Sequence, residues 1–149
     1  MAPERWRIFL DTNVLIAGLL SRTGASAVIL ALAESEEIIP VISRQVLVEA
    51  DRTFLAKFPQ LIDRYRTFIT NLAPLLVDDP SVAAVRRAAQ VIDLDDAPIL
   101  AAAQQAQVDY LITLNTKHFL TPKARAFLPA SIVTPGEFLA AFRNFWERA

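Results

Sequence analysis

The sequence contains no cysteine and only one histidine among its 149 residues. Without cysteine there can be no disulfide, no thiolate zinc site and no cysteine nucleophile. A single histidine also excludes a histidine-rich metal site. If the protein binds a catalytic metal, oxygen ligands must therefore dominate, which favours Mg²⁺ or Mn²⁺.

Long apolar runs and a strong charge of either sign are also missing. The uninterrupted apolar stretches fall well short of the roughly 18 residues that a membrane span needs. Asp11 interrupts the first of them too early for a secretory leader, so we expect a protein of the cytoplasm with no membrane partner. Because the formal net charge is −1, nucleic acid would have to be held by a local basic patch or through a metal ion.

Glycine is scarce, with three residues, and the nine prolines are scattered. No linker, repeat or low-complexity tract interrupts the chain. The length and the 54% apolar composition predict that residues 1–149 form a single domain with a large core.

Apolar runs alternate with helical patterns along the chain. This order predicts an α/β fold in which a parallel sheet lies between helices on both faces. The predicted strands are 7–11, 38–43, 74–77 (a short edge strand), 110–114 and 132–133. The predicted helices are 13–20, 25–33, 44–58 with Ser43 as N-cap, 60–72, 81–91, 98–107, a short one from Thr121-Pro122, and a last one opened by a capping box at 134–137. Pro40 predicts a bulge or irregularity in its strand.

Polar residues follow two of the predicted strands, where an open α/β sheet binds its ligands. Asp11, Thr12 and Asn13 come after the first strand, and Thr113 and Asn115 surround the end of the fourth. Further acidic residues lie near helix starts. They are Glu49, Asp93, Asp95 and Asp96.

Each of these residues also has a simpler interpretation. Asp11 could cap the helix that begins at Asn13, and Asp95 or Asp96 could cap the helix that begins at Pro98. Glu49 lies at the flank of an apolar helix face, where a solvated side chain is common. Asn115 could be a turn residue, and His118 is interpreted as a packing or surface residue rather than a catalyst.

Convergence of several carboxylates would nevertheless have a chemical consequence. Carboxylates that approach one another without a cation raise one another's pKa. A divalent ion removes this penalty, contacts substrate phosphate and assists displacement at phosphorus. In an alternative hypothesis Asp11 is the covalent nucleophile of a phosphohydrolase. Such enzymes usually carry a second aspartate two residues after the nucleophile, where this chain has Asn13.

Five segments resemble those of PIN-domain proteins in order and approximate spacing. They are FLDTNVLIAGLL, SRQVLVEA, DLDDAPILAAA, VDYLITLNTKHF and IVTPGEFL. The resemblance runs from about Arg7 to Leu139, nearly the whole chain. The segments look most like those of the toxin components of VapBC-type toxin–antitoxin systems.

The resemblance implies a three-layer α/β/α sandwich with a mostly parallel sheet of four to five strands. It also implies a metal-dependent endoribonuclease that uses Mg²⁺ or Mn²⁺. By motif position, Asp11, Glu49 and Asp96 correspond to the metal-holding carboxylates, with Asp95 and Asp93 as less favoured substitutes for Asp96. The supporting polar positions correspond to Thr12, Asn13, Ser43 and Thr113.

The chain departs from the fullest form of the family pattern at Asn115, where many members carry aspartate. Asn115 can offer a carbonyl oxygen but no charge. We therefore expect one tightly held ion and a second that is weak or needs substrate. The departure also leaves open an alternative, a catalytically weak or inactive PIN-like module that binds RNA or protein.

The resemblance further implies three partners. They are an RNA substrate, a cognate antitoxin whose amphipathic segment lies in a groove, and a second copy of the chain in a homodimer. The basic residues that could contact the RNA backbone are Arg22, Arg44, Arg52, Lys117 and Lys123. The apolar side chains of the last helix are predicted to pack mainly on their own domain; they are Phe138, Leu139, Phe142, Phe145 and Trp146.

Overall fold

The computed structural model describes residues 5–148, which contain five strands and nine α-helices. The strands are β1 (Arg7–Leu10), β2 (Ile39–Ser43), β3 (Leu75–Val77), β4 (Tyr110–Ile112) and β5 (Ser131–Val133). The helices are α1 (Thr12–Leu20), α2 (Ala25–Glu34), α3 (Arg44–Lys57), α4 (Ile62–Leu72), α5 (Val82–Ala88), α6 (Ala97–Gln105), α7 (Thr116–Phe119), α8 (Pro122–Phe127) and α9 (Pro135–Arg148).

All five strands form one parallel sheet in the order β3-β2-β1-β4-β5. The chain therefore winds outward from β1 in one direction and from β4 in the other. Right-handed crossovers in opposite directions place their helices on opposite faces of the sheet. The sheet is flanked by helices, so the predicted α/β/α sandwich is confirmed, with five parallel strands.

The two central strands explain why such apolar runs are needed. In β1, the side chains of Ile8, Phe9 and Leu10 are fully buried. Neighbouring β4 buries Leu111 and Ile112 equally. A strand covered on both faces cannot alternate apolar and polar side chains, and the continuous apolar runs in the sequence reflect this.

The bulge predicted at Pro40 is wrong, because the register between β1 and β2 is uninterrupted from Arg7↔Ile39 to Phe9↔Val41. The Ile39 amide donates to the Trp6 carbonyl on the β1 side at 2.8 Å. By alternation the nitrogen of Pro40 faces the other neighbour, β3, whose pairing begins only at Val41. Proline is tolerated there because no ladder bond is lost.

Several element boundaries differ from those predicted. The helix predicted over 60–72 begins as a 3-10 turn, Pro59–Leu61, before α4. The helix predicted over 81–91 ends at Ala88, and α7 was not predicted. Strand β4 ends at Ile112. The Thr113 amide still donates to the Val133 carbonyl of β5 at 3.1 Å, but the Leu114 amide donates to the Asn13 side chain at 3.2 Å.

The last helix begins as predicted. The Thr134 amide donates to Glu137 Oε1 at 3.0 Å, and the Glu137 amide donates to Thr134 Oγ1 at 3.2 Å, which is a reciprocal capping box. Phe138 is fully buried and contacts the Trp6 ring, as predicted for a helix that packs on its own domain. Trp146, near the end of α9, is 51% exposed.

Within residues 5–148, no single helix is long and apolar enough to cross a membrane. Helices α1 and α2 meet the length and composition criteria only when taken together, and they are bent by 96° relative to one another.

Gly18 is required where α1 packs against α2. A Cβ at this position would lie 2.4 Å from Leu30 Cδ1 and 3.1 Å from the Ser26 carbonyl oxygen. Leu30 is buried and cannot move aside freely. We expect Gly18→Ala to lower the free energy of unfolding, because overpacking costs about 1–3 kcal/mol and exceeds the ~1 kcal/mol that alanine gains in a helix.

Gly136→Ala is the matched control, since a Cβ there meets nothing within 4 Å. This variant should be neutral or slightly stabilised. Urea unfolding followed by tryptophan fluorescence measures both. A Gly18→Ala protein as stable as the parent would contradict the close packing of α1 on α2.

Candidate active site

The candidate site lies where the central strands β1 and β4 end. Asp11 directly follows β1, and Thr113 directly follows β4. The register pairs Leu10 with Ile112, so the two polar residues come at the same level of the sheet. Both side chains are buried, with 7% exposure for Asp11 and none for Thr113. The direction of winding changes between these strands, and such a switch point is where α/β sheets bind ligands.

Asp11 is both a helix cap and a member of the site. Its Oδ1 accepts from the Thr12 amide at 2.8 Å and so caps α1. Its Oδ2 accepts from Thr113 Oγ1 at 2.7 Å. The capping interpretation therefore does not exclude the functional one. Each ionised oxygen accepts more than one bond, so both can still contact a cation.

Glu49 points to the same site from α3. Its Oε2 accepts from Thr12 Oγ1 at 2.9 Å, and its Oε1 accepts from Gln45 Nε2 at 2.9 Å. Glu49 is half-buried, so it is not a solvated residue at the flank of the helix. The Ser43 Oγ caps α3 by accepting from the Val46 amide at 3.3 Å, and no hydrogen bond joins Ser43 to Asp11 or Glu49.

Asp96 completes the set from the start of α6. It occupies the N-cap position but makes no capping hydrogen bond with its side chain. Its Oδ1 instead accepts from Asn115 Nδ2 at 3.4 Å. The backbone amide of Asn115 donates to Thr113 Oγ1 at 3.0 Å, and Thr113 Oγ1 in turn donates to Asp11, so the network runs from Asp96 to Asp11.

Asp93 and Asp95, the less favoured candidates for the third metal ligand, lie in more exposed positions than Asp96. Asp95 is exposed, and Asp93 has 67% of its side chain exposed. Neither forms a hydrogen bond with Asn115 or Thr113, and Asp93 instead contacts His118. The geometry therefore favours Asp96 among the three acids.

Two further residues at the site escaped the sequence reasoning. His118 was assigned to packing or surface, but its Nδ1 lies 2.6 Å from Asp96 Oδ2 and its Nε2 lies 3.2 Å from Asp93 Oδ2. Gln45 was not singled out at all. Its spacing of four residues from Glu49 on a helix is the signal that could have indicated the contact. His118 lies in the segment VDYLITLNTKHF that carries the resemblance, but its contacts were not expected because α7 was not predicted.

The electrostatics of the site favour a cation. Burial raises the pKa of Asp11 above its ordinary value of 3.8, and the charges of Glu49 and Asp96 raise it further. The hydrogen bonds from Thr113 and the Thr12 amide lower this pKa in part. A divalent ion would remove the penalty of ionising Asp11, and an oxygen donor set suits such an ion.

The carboxylates predicted to hold the metal are not in one tight cluster. Within residues 5–148, the group whose ligand atoms all lie within 4.8 Å of one another is Asp93, Asp96 and His118, which could hold a metal ion. Asp11, Glu49 and Asp96 are spaced more widely. Water molecules commonly complete the shell of Mg²⁺, so a wider oxygen set still fits that ion.

The PIN-domain family model matches residues 7–117, which include Asp11, Glu49, Asp96, Thr113 and Asn115, whereas His118 lies one residue beyond the match. The chain belongs to the PIN-domain family, whose members are generally nucleases.

Three solved structures resemble this chain. PAE2754 from Pyrobaculum aerophilum has a TM-score of 0.63 at 14% identity, with 93% of this chain and 90% of that chain covered. FitAcB from Neisseria gonorrhoeae has a TM-score of 0.60 at 21% identity, with coverage of 86% and 97%. VapBC2 from Rickettsia felis, bound to a DNA fragment from their promoter, has a TM-score of 0.57 at 18% identity, with coverage of 85% and 96%. Identities this low show the fold alone, and no curated protein matches the sequence.

Proposed function

We propose that the protein is a metal-dependent endoribonuclease that hydrolyses RNA phosphodiester bonds, and that it is the toxin of a toxin–antitoxin pair. The observation that carries the proposal is the hydrogen-bonded network around buried Asp11. It joins the ends of two central strands to acids from α3 and α6. Membership of the PIN-domain family supports the nuclease chemistry.

Asp11, Glu49 and Asp96 are the residues proposed to hold Mg²⁺ or Mn²⁺, directly or through water. A bound ion of this kind lowers the pKa of an attacking water and offsets charge on the phosphoryl oxygens. Because the three acids are accompanied by the neutral Asn115, we propose one tightly bound ion.

The neighbouring polar residues prepare the site before substrate arrives. Thr113 fixes one oxygen of Asp11, and Thr12 fixes one oxygen of Glu49. Asn13 ties the segment after β4 to α1 through the Leu114 amide. Groups that orient ligands in this way are commonly needed for full metal affinity.

The approach of RNA is proposed from the side of α7 and α8. Exposed Lys117 and Lys123 line a cavity of about 520 Å³ together with Asp93 and His118. Arg22 and Arg52 line other cavities. Binding should weaken with rising salt, because each lysine or arginine that contacts a phosphate releases counterions, and the affinity should be modest because few such residues are available.

The cognate antitoxin is proposed on the resemblance to VapBC-type toxins and on the shared fold with VapBC2. A cavity of about 820 Å³ between α3 and α4 offers an apolar surface for an amphipathic segment. Val48 and Leu55 line it and are 45% and 51% exposed. We also propose a single domain over 1–149, a homodimer, and action in the cytoplasm, where such an antitoxin and RNA would be met.

One assay tests the nuclease proposal. Mixed cellular RNAs are incubated with the protein and Mn²⁺, then with excess chelator, then with chelator followed by more Mn²⁺. We expect cleavage only when the free ion is present. Cleavage that survives the chelator would overturn the proposal. RNA that is bound but never cleaved under any condition would instead favour the inactive binding module.

A further inference from the structure

The contact between His118 and Asp96 is the shortest polar contact recorded for any of the three proposed ligands. His118 Nδ1 lies 2.6 Å from Asp96 Oδ2, with 35% of the histidine and 19% of the aspartate side chain exposed. On its other side the ring meets Asp93, with Nε2 at 3.2 Å from Oδ2. The imidazole is therefore held between two carboxylates.

Little else orients the Asp96 carboxylate. It makes no capping bond to α6, although it stands at the N-cap position. Its other oxygen has the contact with Asn115 Nδ2, but at 3.4 Å this bond is long and weak. A short bond to an ionised acceptor is of the strong type. The direction of Asp96 thus depends mainly on His118.

We propose that His118 is a positioning residue that fixes Asp96 for metal binding, with Asp93 steadying the outer edge of the ring. The inference rests on the proposed function, because it takes Asp96 as a ligand. Partners of this kind keep a ligand in one orientation, and their loss typically lowers metal affinity about 10–100-fold. In this role Nδ1 is the ring nitrogen that donates to Asp96.

Direct ligation by His118 is the competing role, since Asp93, Asp96 and His118 could together hold an ion. In the structure both ring nitrogens already face carboxylate oxygens at 2.6 and 3.2 Å. An ion bound by either nitrogen would have to break one of these contacts. The two roles make different demands on the metal, because Mg²⁺ takes oxygen ligands and would gain little from an imidazole, whereas Mn²⁺ accepts a nitrogen ligand more readily than Mg²⁺ does.

Three substitutions at one position separate the roles. His118→Leu removes both donors. His118→Asn places an amide nitrogen near the position of Nδ1, and His118→Gln places one near that of Nε2. Titration calorimetry gives the Mg²⁺ affinity, and electron paramagnetic resonance of free Mn²⁺ gives the Mn²⁺ affinity. Thermal unfolding in chelator checks that each variant is folded.

For a positioning residue, His118→Leu should lower the Mg²⁺ and Mn²⁺ affinities by the same factor, about 10–100-fold. His118→Asn should recover most of the loss and His118→Gln little of it. Unchanged affinities in His118→Leu would overturn the proposal. A loss confined to Mn²⁺, without rescue by asparagine, would also overturn it and assign His118 as a ligand.

A second variant guards against misfolding at position 118. Asp93→Asn changes only an exposed side chain and should lower both affinities by a smaller, equal factor. Equal affinities in this variant and the parent would remove Asp93 from the proposal. Failure of the proposed function has its own signature, because the parent would then bind neither ion, or Asp11→Asn would bind both as tightly as the parent.

Discussion

Asp11→Asn should slow cleavage by orders of magnitude and yet stabilise the metal-free protein. Loss of the central ligand should lower the cleavage rate roughly 10²- to 10⁴-fold, because metal assistance supplies several kcal/mol. The same change removes a buried charge that faces Glu49 and Asp96. Asparagine is as good an N-cap as aspartate, so α1 should keep its start.

The gain in stability should depend on pH in a definite direction. Burial raises the pKa of Asp11 above its ordinary value of 3.8, and nearby carboxylates add to the shift. A raised carboxyl pKa means that the native state holds the proton more tightly than the unfolded chain. Stability of the parent therefore falls as the pH rises from 3.8 through the raised pKa. The advantage of Asp11→Asn should be full above that window and vanish below 3.8.

With metal bound, the parent should become more stable than Asp11→Asn, the reverse of their order in chelator. An ion at about 100 times its dissociation constant stabilises a folded protein by about 2.7 kcal/mol. For a chain of this size that corresponds to a rise of about 5–11 °C in the melting temperature. The parent should show this rise with Mn²⁺, and Asp11→Asn should show none. Thermal unfolding in chelator and in excess Mn²⁺ measures both terms.

Asp95→Asn is the matched control, since it makes the same chemical change at an exposed aspartate. It should leave cleavage, metal response and stability in chelator close to those of the parent. If Asp95→Asn lost the metal response while Asp11→Asn kept it, the assignment of the ligands would be wrong.

Much of the fold could be predicted because its causes are local in the sequence. The runs around Phe9 and Leu111 are apolar throughout, and this property separates buried parallel strands from surface strands. The capping box at Thr134 and Glu137 uses side chains three residues apart, so the letters alone predict it. The irregularity at Pro40 was predicted wrongly, because the tolerance of proline depends on which neighbour its nitrogen faces.

The candidate site was predictable in its residue types but not in its contacts. The resemblance indicated Asp11, Glu49 and Asp96 by motif position, whereas the helical pattern alone did not single out Glu49. The bond from Thr12 to Glu49 joins residues 37 positions apart, and that from His118 to Asp96 joins residues 22 apart. Such contacts depend on how helices and strands are placed, and no local pattern encodes them.

Asn115→Asp should strengthen metal binding, whereas Asp11→Asn should weaken it. The Asn115 side chain donates to Asp96 Oδ1 at 3.4 Å. An aspartate there would put a like charge beside Asp96 and remove the donor. In chelator the variant should therefore be less stable than the parent, because carboxylates at close range repel.

With Mn²⁺ present, the fourth carboxylate in Asn115→Asp should raise the affinity of the protein for a second ion. The proposed set brings three negative charges against two positive charges of one ion, so a second ion is poorly neutralised in the parent. We expect calorimetry to show one tight site in the parent and a second site about tenfold tighter in Asn115→Asp, equivalent to about 1.4 kcal/mol. Two equal tight sites in the parent would contradict this expectation.

Asn115→Ala separates the added charge from the lost donor. It removes the bond to Asp96 without adding a carboxylate, so it should not tighten the second site. If Asn115→Ala and Asn115→Asp changed the affinity equally, the effect would come from the lost bond. If only Asn115→Asp tightened the second ion, the amide would be what restricts this site to one tightly bound metal.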